Sequence, residues 1–171
     1  YANGPAYGAA DGPTVGPGQQ PNYRTGFGFG GGGSNEAPLE IKPEDYEAFE
    51  RLLGEIQAAW SNEDMDRLRQ LATPEMASYF AKDLEENRAN NDINQVSNVK
   101  LLQGDLAEAW REGETDYATV AMRFSLVDKT LERGTNRLVA GSDTPIEVTE
   151  VWTFVRRPGT SWELSAIQQT A

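Results

Sequence analysis

Two hydrophobic periods follow one another along this chain, and any fold must satisfy both. From residue 46 the apolar positions recur every three or four residues: Tyr46, Phe49, Leu52, Leu53, Ile56 and Trp60 form one helical stripe. Lys42-Pro43-Glu44-Asp45 starts that helix, with Pro where no N–H partner is needed and acids at the positive end of the dipole. Ser61-Asn62-Glu63-Asp64 interrupts it with capping chemistry, and a short helix then carries Met65, Leu68 and Leu71 inward. Thr73-Pro74-Glu75 opens a third helix with Met76, Tyr79, Phe80 and Leu84 on one face, ending in the polar run Asn90-Asn91-Asp92. Beyond this the period becomes two. Ala118, Val120, Met122, Phe124 and Leu126 face one way and Thr119, Arg123 and Ser125 the other, a half-buried strand over 116–127. Residues 145–157 and 161–169 read as two more strands, joined by the turn Pro158-Gly159-Thr160. Residues 95–112 also read as extended, with a phase shift at Leu101-Leu102 that a bulge would explain. Helices followed by antiparallel strands predict an α+β domain: three N-terminal helices packed on one face of a curved antiparallel sheet of about four strands.

Composition divides the chain just before that first helix. Residues 1–42 hold eleven of the 17 glycines and five of the 9 prolines, including Gly26-Phe27-Gly28-Phe29-Gly30-Gly31-Gly32-Gly33-Ser34. Their apolar residues are too sparse to offset backbone ordering at about 1–2 kcal/mol per residue, which predicts a flexible linker. It serves either as a tether or as a tail. Tyr1 in place of Met leads to the expectation of an upstream piece, a signal peptide or a membrane anchor. Residues 43–171 carry all 4 Trp and are long enough to bury roughly two-thirds of their unfolded surface as an independent core.

Charge and residue types narrow the function. Fifteen Lys+Arg against 27 Asp+Glu leave a net charge of −12, a surface that repels phosphate, so no nucleic-acid partner is expected. With 0 His and 0 Cys, thiolate catalysis, disulfides, zinc fingers and His-based triads are excluded. No metal site or cofactor is expected. No apolar run approaches the length of a membrane-spanning helix. The glycines of 26–30 lack the preceding strand and following helix of a dinucleotide fingerprint.

The remaining candidates are few. Glu150 shares a strand face with Ile146, Val148, Trp152 and Phe154, so it points toward the core or a pocket beneath the helices, where its pKa would rise. There it is either a general base or a structurally satisfied acid reaching Tyr79 or Gln168. Trp60, Tyr79, Phe80, Met122, Trp152 and Phe154, with Glu150 and Gln168, are the expected lining of a ligand pocket, unless the aromatics simply fill the core. Arg133 and Arg137 in one loop and Arg156 and Arg157 before a turn are either ordinary solvated loop residues or a peripheral lipid-facing edge. Such an edge would be worth about 4 kcal/mol together at about 1 kcal/mol each beside an anionic membrane, and it is not expected to anchor the domain stably. Val151 and Val155 lie on the opposite strand face, either against a second subunit in a homodimer through the sheet or as plain strand formers.

These residues also carry a resemblance. Tyr46-Glu47-Ala48-Phe49 through Trp60, Leu68-Arg69-Gln70-Leu71-Ala72-Thr73-Pro74-Glu75-Met76, Tyr79-Phe80, Asn94 through Leu102 and Asp116-Tyr117-Ala118 resemble the Tim44-like domain family. So do Glu150-Val151-Trp152-Thr153-Phe154-Val155-Arg156-Arg157 and Trp162 through Gln169, which are the most specific segments. The resemblance covers residues 43–171 and implies a cone-shaped fold similar to nuclear-transport-factor-two-like domains. It also implies a non-enzymatic module that binds a membrane protein or peptide partner, or a lipid or acyl chain. Bacterial members of the family are commonly attached to the inner membrane by an upstream segment, which gives the expected location, without the side. The mitochondrial member is a membrane tether of the protein-import motor. Here a Gly/Pro segment replaces its charged N-terminal region, and the domain is acidic, so import-motor function is not carried over. The alternative reading is a small cone-fold isomerase or dehydratase with Glu150 as general base.

Overall fold

The structure, a computed structural model, describes residues 36–170. Three helices precede the main sheet: α1 (Pro43–Ser61), α2 (Met65–Leu71) and α3 (Pro74–Ala89). Each starts where side-chain chemistry predicts. The Lys42 backbone N–H donates to Asp45 at 2.9 Å, Asp64 accepts from the Arg67 N–H at 3.1 Å, and Thr73 accepts from the Met76 N–H at 3.3 Å. The expected stripes are buried, except that Tyr46 is 41% exposed and Tyr79 and Met65 are half-buried.

Six strands form one antiparallel sheet rather than about four: β1 (Glu36–Pro38), β2 (Asp92–Glu112), β3 (Thr115–Glu132), β4 (Leu138–Gly141), β5 (Ile146–Arg156) and β6 (Glu163–Gln169). The order is β1-β2-β3-β5-β6, with β4 beside the far end of β3. The two additional strands are short and bury no apolar face, so alternation does not reveal them. β4 is exposed throughout. β1 lies inside the expected linker and pairs with Trp110–Glu112, while Leu39 and Ile41 pack against the core. Packed structure therefore begins before residue 43, and the rest of the expected linker, residues 1–35, lies outside the described residues. At the other edge of the sheet, Ala72 bridges Leu164, and the Thr73 N–H donates to the Leu164 carbonyl at 2.9 Å. Gly141 is required by its surroundings. Its φ is +85°, and a Cβ there would stand 2.1 Å from the Asp128 carbonyl oxygen.

β2 carries three register irregularities against β3, at 97–100, 101–103 and 106–108. The expected phase shift at Leu101-Leu102 is the second of them. Bulges bend and twist a strand, and here they accompany a sheet whose inner face receives α1. The core lies between. Phe49 stacks on Phe154 at 4.4 Å and meets Trp162 edge-on at 5.0 Å, while Trp60 lies 6.3 Å from Phe80. Buried polar atoms are tied across elements: the Trp60 indole N–H donates to Asn94 Oδ1 at 2.9 Å, and Asn94 Nδ2 donates to Asp128 at 2.7 Å.

A second polar tie fixes the start of α1 to the sheet. Asp45 accepts from the Lys42 N–H, from the Trp162 indole at 3.0 Å and from Arg156 Nη1 at 3.1 Å. Arg156 Nη2 also donates to Asp116 at 2.7 Å, and its guanidinium lies 4.4 Å from the Trp162 ring centroid. Burial works to raise the pKa of Asp45. The Lys42 N–H, the Trp162 indole and Arg156 outweigh it and hold the carboxyl below its ordinary range. Asp116, also bound by Arg111 at 2.6 Å, is lowered in the same way against the same burial.

Candidate functional site

Four of the five aromatic residues expected to line a pocket lie in the closed core, and Tyr79 is half-buried at its edge. Trp152, Phe154 and Phe80 are 0% exposed, and Trp60 is 1%. Of the expected set Met122 borders a cleft formed by the described residues. That cleft lies between the N-terminal half of α1 and the middle of β2 and β3, and it holds about 360 Å³, toward the small end of ligand clefts. Tyr46, Phe49, Leu101, Val120 and Met122 form its apolar lining, Gly104 leaves the β2 side open, and Glu47 and Glu50 stand on it from α1. Two further exposed apolar residues, Leu102 and Leu106, lie on the same stretch of β2.

Each groove residue has a local reason for its position. Tyr46 opens the α1 stripe one turn before the core closes, so its ring packs edge-on to Phe49 at 6.1 Å and is otherwise exposed. Leu101 pairs with Phe124 and Gly104 with Met122, which places both on the inner face, and Leu102 is the extra residue of the bulge between them. Gly104 has ordinary backbone geometry, and a Cβ there would meet only Leu101 Cδ2, at 4.0 Å. Nothing in the surrounding packing requires glycine. A glycine inside a strand commonly marks a bulge or a close approach by another molecule. The sequence signals that point here were the Leu101-Leu102 phase shift and this mid-strand glycine. Residues 46–50 and 101–104 are too far apart in sequence for either signal to find the other.

Glu150 does point inward, as its strand face predicts, and is 1% exposed. The Trp152 indole N–H donates to its Oε1 at 2.8 Å, and Gln169 Nε2 lies 3.5 Å from its Oε2. Burial raises its pKa to about 7, and these two donors only partly oppose the rise. The expected partner Gln168 pairs with Val151 and belongs to the other face; Gln169 pairs with Glu150. Neither the α1–β2 groove nor a polar cleft of about 460 Å³ near Tyr117, Val155 and Arg157 is lined by Glu150.

The four arginines do not form one lipid-facing edge. Arg133 is ion-paired with Glu63, just past the end of α1, and Arg156 with Asp45 at its start, which puts the two about 27 Å apart at 1.5 Å per residue. Arg137 pairs with Glu132 at 3.4 Å and Arg157 with Glu163 at 3.2 Å, so each cation already has a carboxylate. On the outer sheet face, Trp110 stacks on Tyr117 at 5.0 Å, and Thr119 and Thr153 share a hydrogen bond of 3.1 Å. Val155 beside them is covered within one chain and Val151 is half-buried. Among the described residues no helix is long and apolar enough to cross a membrane, and no group of acids is arranged to hold a metal ion.

The chain is similar to the intermembrane-space region of the chloroplast protein ARC6, with a TM-score of 0.51 and 10% identity over 79% of this chain and 99% of that one. It also matches a nuclear transport factor 2-like superfamily protein from Salmonella enterica (TM-score 0.46, 12% identity, 73% of this chain and 89% of that one). A third match is a putative dehydratase of the NTF2-like family from Streptomyces avermitilis (TM-score 0.37, 14% identity, 76% and 99%). No curated protein sequence matches. The family model described as the Tim44-like domain matches residues 32–169, and the chain belongs to that family.

Proposed function

We propose that this domain is a non-catalytic binding module that holds an apolar segment of a partner in the groove between α1 and β2, and that a further segment of the protein keeps it at a bacterial inner membrane. Membership of the Tim44-like family supports a binding or tethering role over catalysis. The observation that carries the site is the groove itself, an apolar, open cleft with exposed Tyr46 on its rim and a glycine where any small side chain would fit, beside a stretch of β2 that also exposes Leu102 and Leu106. Clustered exposed apolar side chains beside a cleft mark interaction sites more reliably than scattered ones.

The isomerase or dehydratase reading needs a substrate in contact with Glu150. That carboxyl is enclosed and engaged by Trp152 and Gln169, and a molecule in the groove meets Met122 instead. The test is native mass spectrometry of the protein purified gently from cells, beside a Gly104→Phe variant. A bound species retained by the wild type and absent from the variant supports the groove. Equal retention by both, or none by either together with no affinity for apolar peptides or lipids, refutes it.

A further inference from the structure

The groove also carries information about the charge of what it binds. Its two charged lining residues are both acids, Glu47 and Glu50, presented from successive turns of α1. Among the described residues neither takes part in an ion pair, although nearly every arginine elsewhere in the domain does. Beside them stands Tyr46, with an exposed ring able to take a cation on its face. The whole chain adds a net charge of −12 behind this local field.

Resting on the groove reading above, we infer that the occupant is a segment of a partner protein carrying one or two large apolar side chains flanked by Lys or Arg. The apolar anchors enter over Phe49 and Met122, and the cations lie against the carboxylates and the Tyr46 ring. An anionic lipid meets the opposite condition. Its acyl chain would suit the lining, but its phosphate would have to sit at a rim of carboxylates that form no ion pair among the described residues. The groove is also small, about 360 Å³, and open to solvent, which suits one or two side chains better than a whole acyl chain. Complementary charge of this kind acts mainly on encounter rate and partner choice, and it weakens with salt.

The experiment uses three fluorescent probes: a short peptide with a Leu-Phe centre and Lys/Arg flanks, the same centre with Ser flanks, and vesicles of phosphatidylglycerol. Anisotropy or co-sedimentation is measured for wild type, Glu47→Gln/Glu50→Gln and Gly104→Leu, all first checked for native circular dichroism and melting. The cationic peptide is expected to bind more tightly than the Ser-flanked one. The double Gln variant is expected to lose about five- to tenfold of the difference and most of its salt dependence, in keeping with two partly exposed charge pairs. Gly104→Leu is expected to weaken both peptides. If Gly104→Leu weakens both peptides but they bind alike and the double variant changes nothing, the groove stands and the charge inference falls. If the vesicles bind through the groove and the cationic peptide does not, the inference is overturned in favour of lipid. If Gly104→Leu leaves all three probes unaffected, the groove reading itself falls.

Discussion

Replacing Glu150 by Gln should make this protein more stable, by a margin that grows as pH rises from 4.5 and levels off just above 7. Glu150 is 1% exposed, and burial moves its pKa from 4.5 to about 7. In the unfolded chain the carboxyl ionises near 4.5 at no cost. In the folded chain it must either keep its proton or bury a charge. The raised folded value means that its favourable contribution is complete below pH 4.5 and disappears as pH rises through about 7. At 1.36 kcal/mol for each pH unit separating the two values, the loss is about 3 kcal/mol by pH 8.5. Gln has the same shape, still accepts from the Trp152 indole and carries no charge. Urea unfolding followed by tryptophan fluorescence should therefore show wild type and Glu150→Gln nearly alike at pH 4.5 and about 3 kcal/mol apart at pH 8.5. The background is favourable, because a chain with 0 His has no ordinary side-chain titration between about pH 6 and 8.5, above the carboxylate range. A difference between the two proteins that is constant from pH 4.5 to 8.5 would refute the reasoning.

The tie at the start of α1 should act at the other end of the pH scale. Asp45 and Asp116 have lowered pKa values, so their contribution is present above the ordinary 3.8 and is lost as pH falls through their folded values; acid titration should show unfolding below pH 3.8 that Asp45→Asn blunts. Asp45→Asn should itself cost about 2–3 kcal/mol at pH 6 by urea unfolding, since the Trp162 and Arg156 donors lose a charged acceptor inside the protein. Gly141→Ala should lower the melting temperature severely, because both its φ and the Asp128 carbonyl oppose a Cβ. Gly104→Ala should do the reverse, raising stability by about 0.5–1 kcal/mol, because nothing crowds the added methyl.

The parts of the fold that could be read from the sequence are those whose signals are local. Helix starts follow from Pro43, Asp64 and Pro74 with their neighbours, and the inner face of β3 follows from an alternation that runs without a break from Ala118 to Leu126. The parts that could not be read depend on register. Without an irregularity between β5 and β6, counting back from the Phe154–Leu164 pair would set Glu150 opposite Gln168. The register shift after Thr153 leaves Ser165 as an extra residue, so Gln169 takes that position and Gln168 turns to the other face. Parity of this kind is decided by a single residue that composition does not mark. β1 and β4 escaped for a different reason. Their pairing satisfies backbone groups at the ends of longer strands, and this places no demand on their side chains.

The same distinction explains why the expected pocket and the observed groove share so little. Apolar periodicity reports which side chains leave water, and in a domain this size the large aromatics leave it by packing on one another, as Phe49 does on Phe154 and Trp162. A binding surface requires the opposite: apolar side chains that the fold leaves unfinished. Here they occur where α1 begins, one turn outside the closed core, and where β2 departs from regular pairing. Leu102 is exposed because it is the surplus residue of a bulge, and Gly104 is open because, among the described residues, only Leu101 Cδ2 comes near the space beside it. Ends of helices and irregularities of strands are poorly marked by periodicity for the same reason that they suit recognition. There the constraint from the core is relaxed, and a partner can supply the contacts the domain does not make with itself.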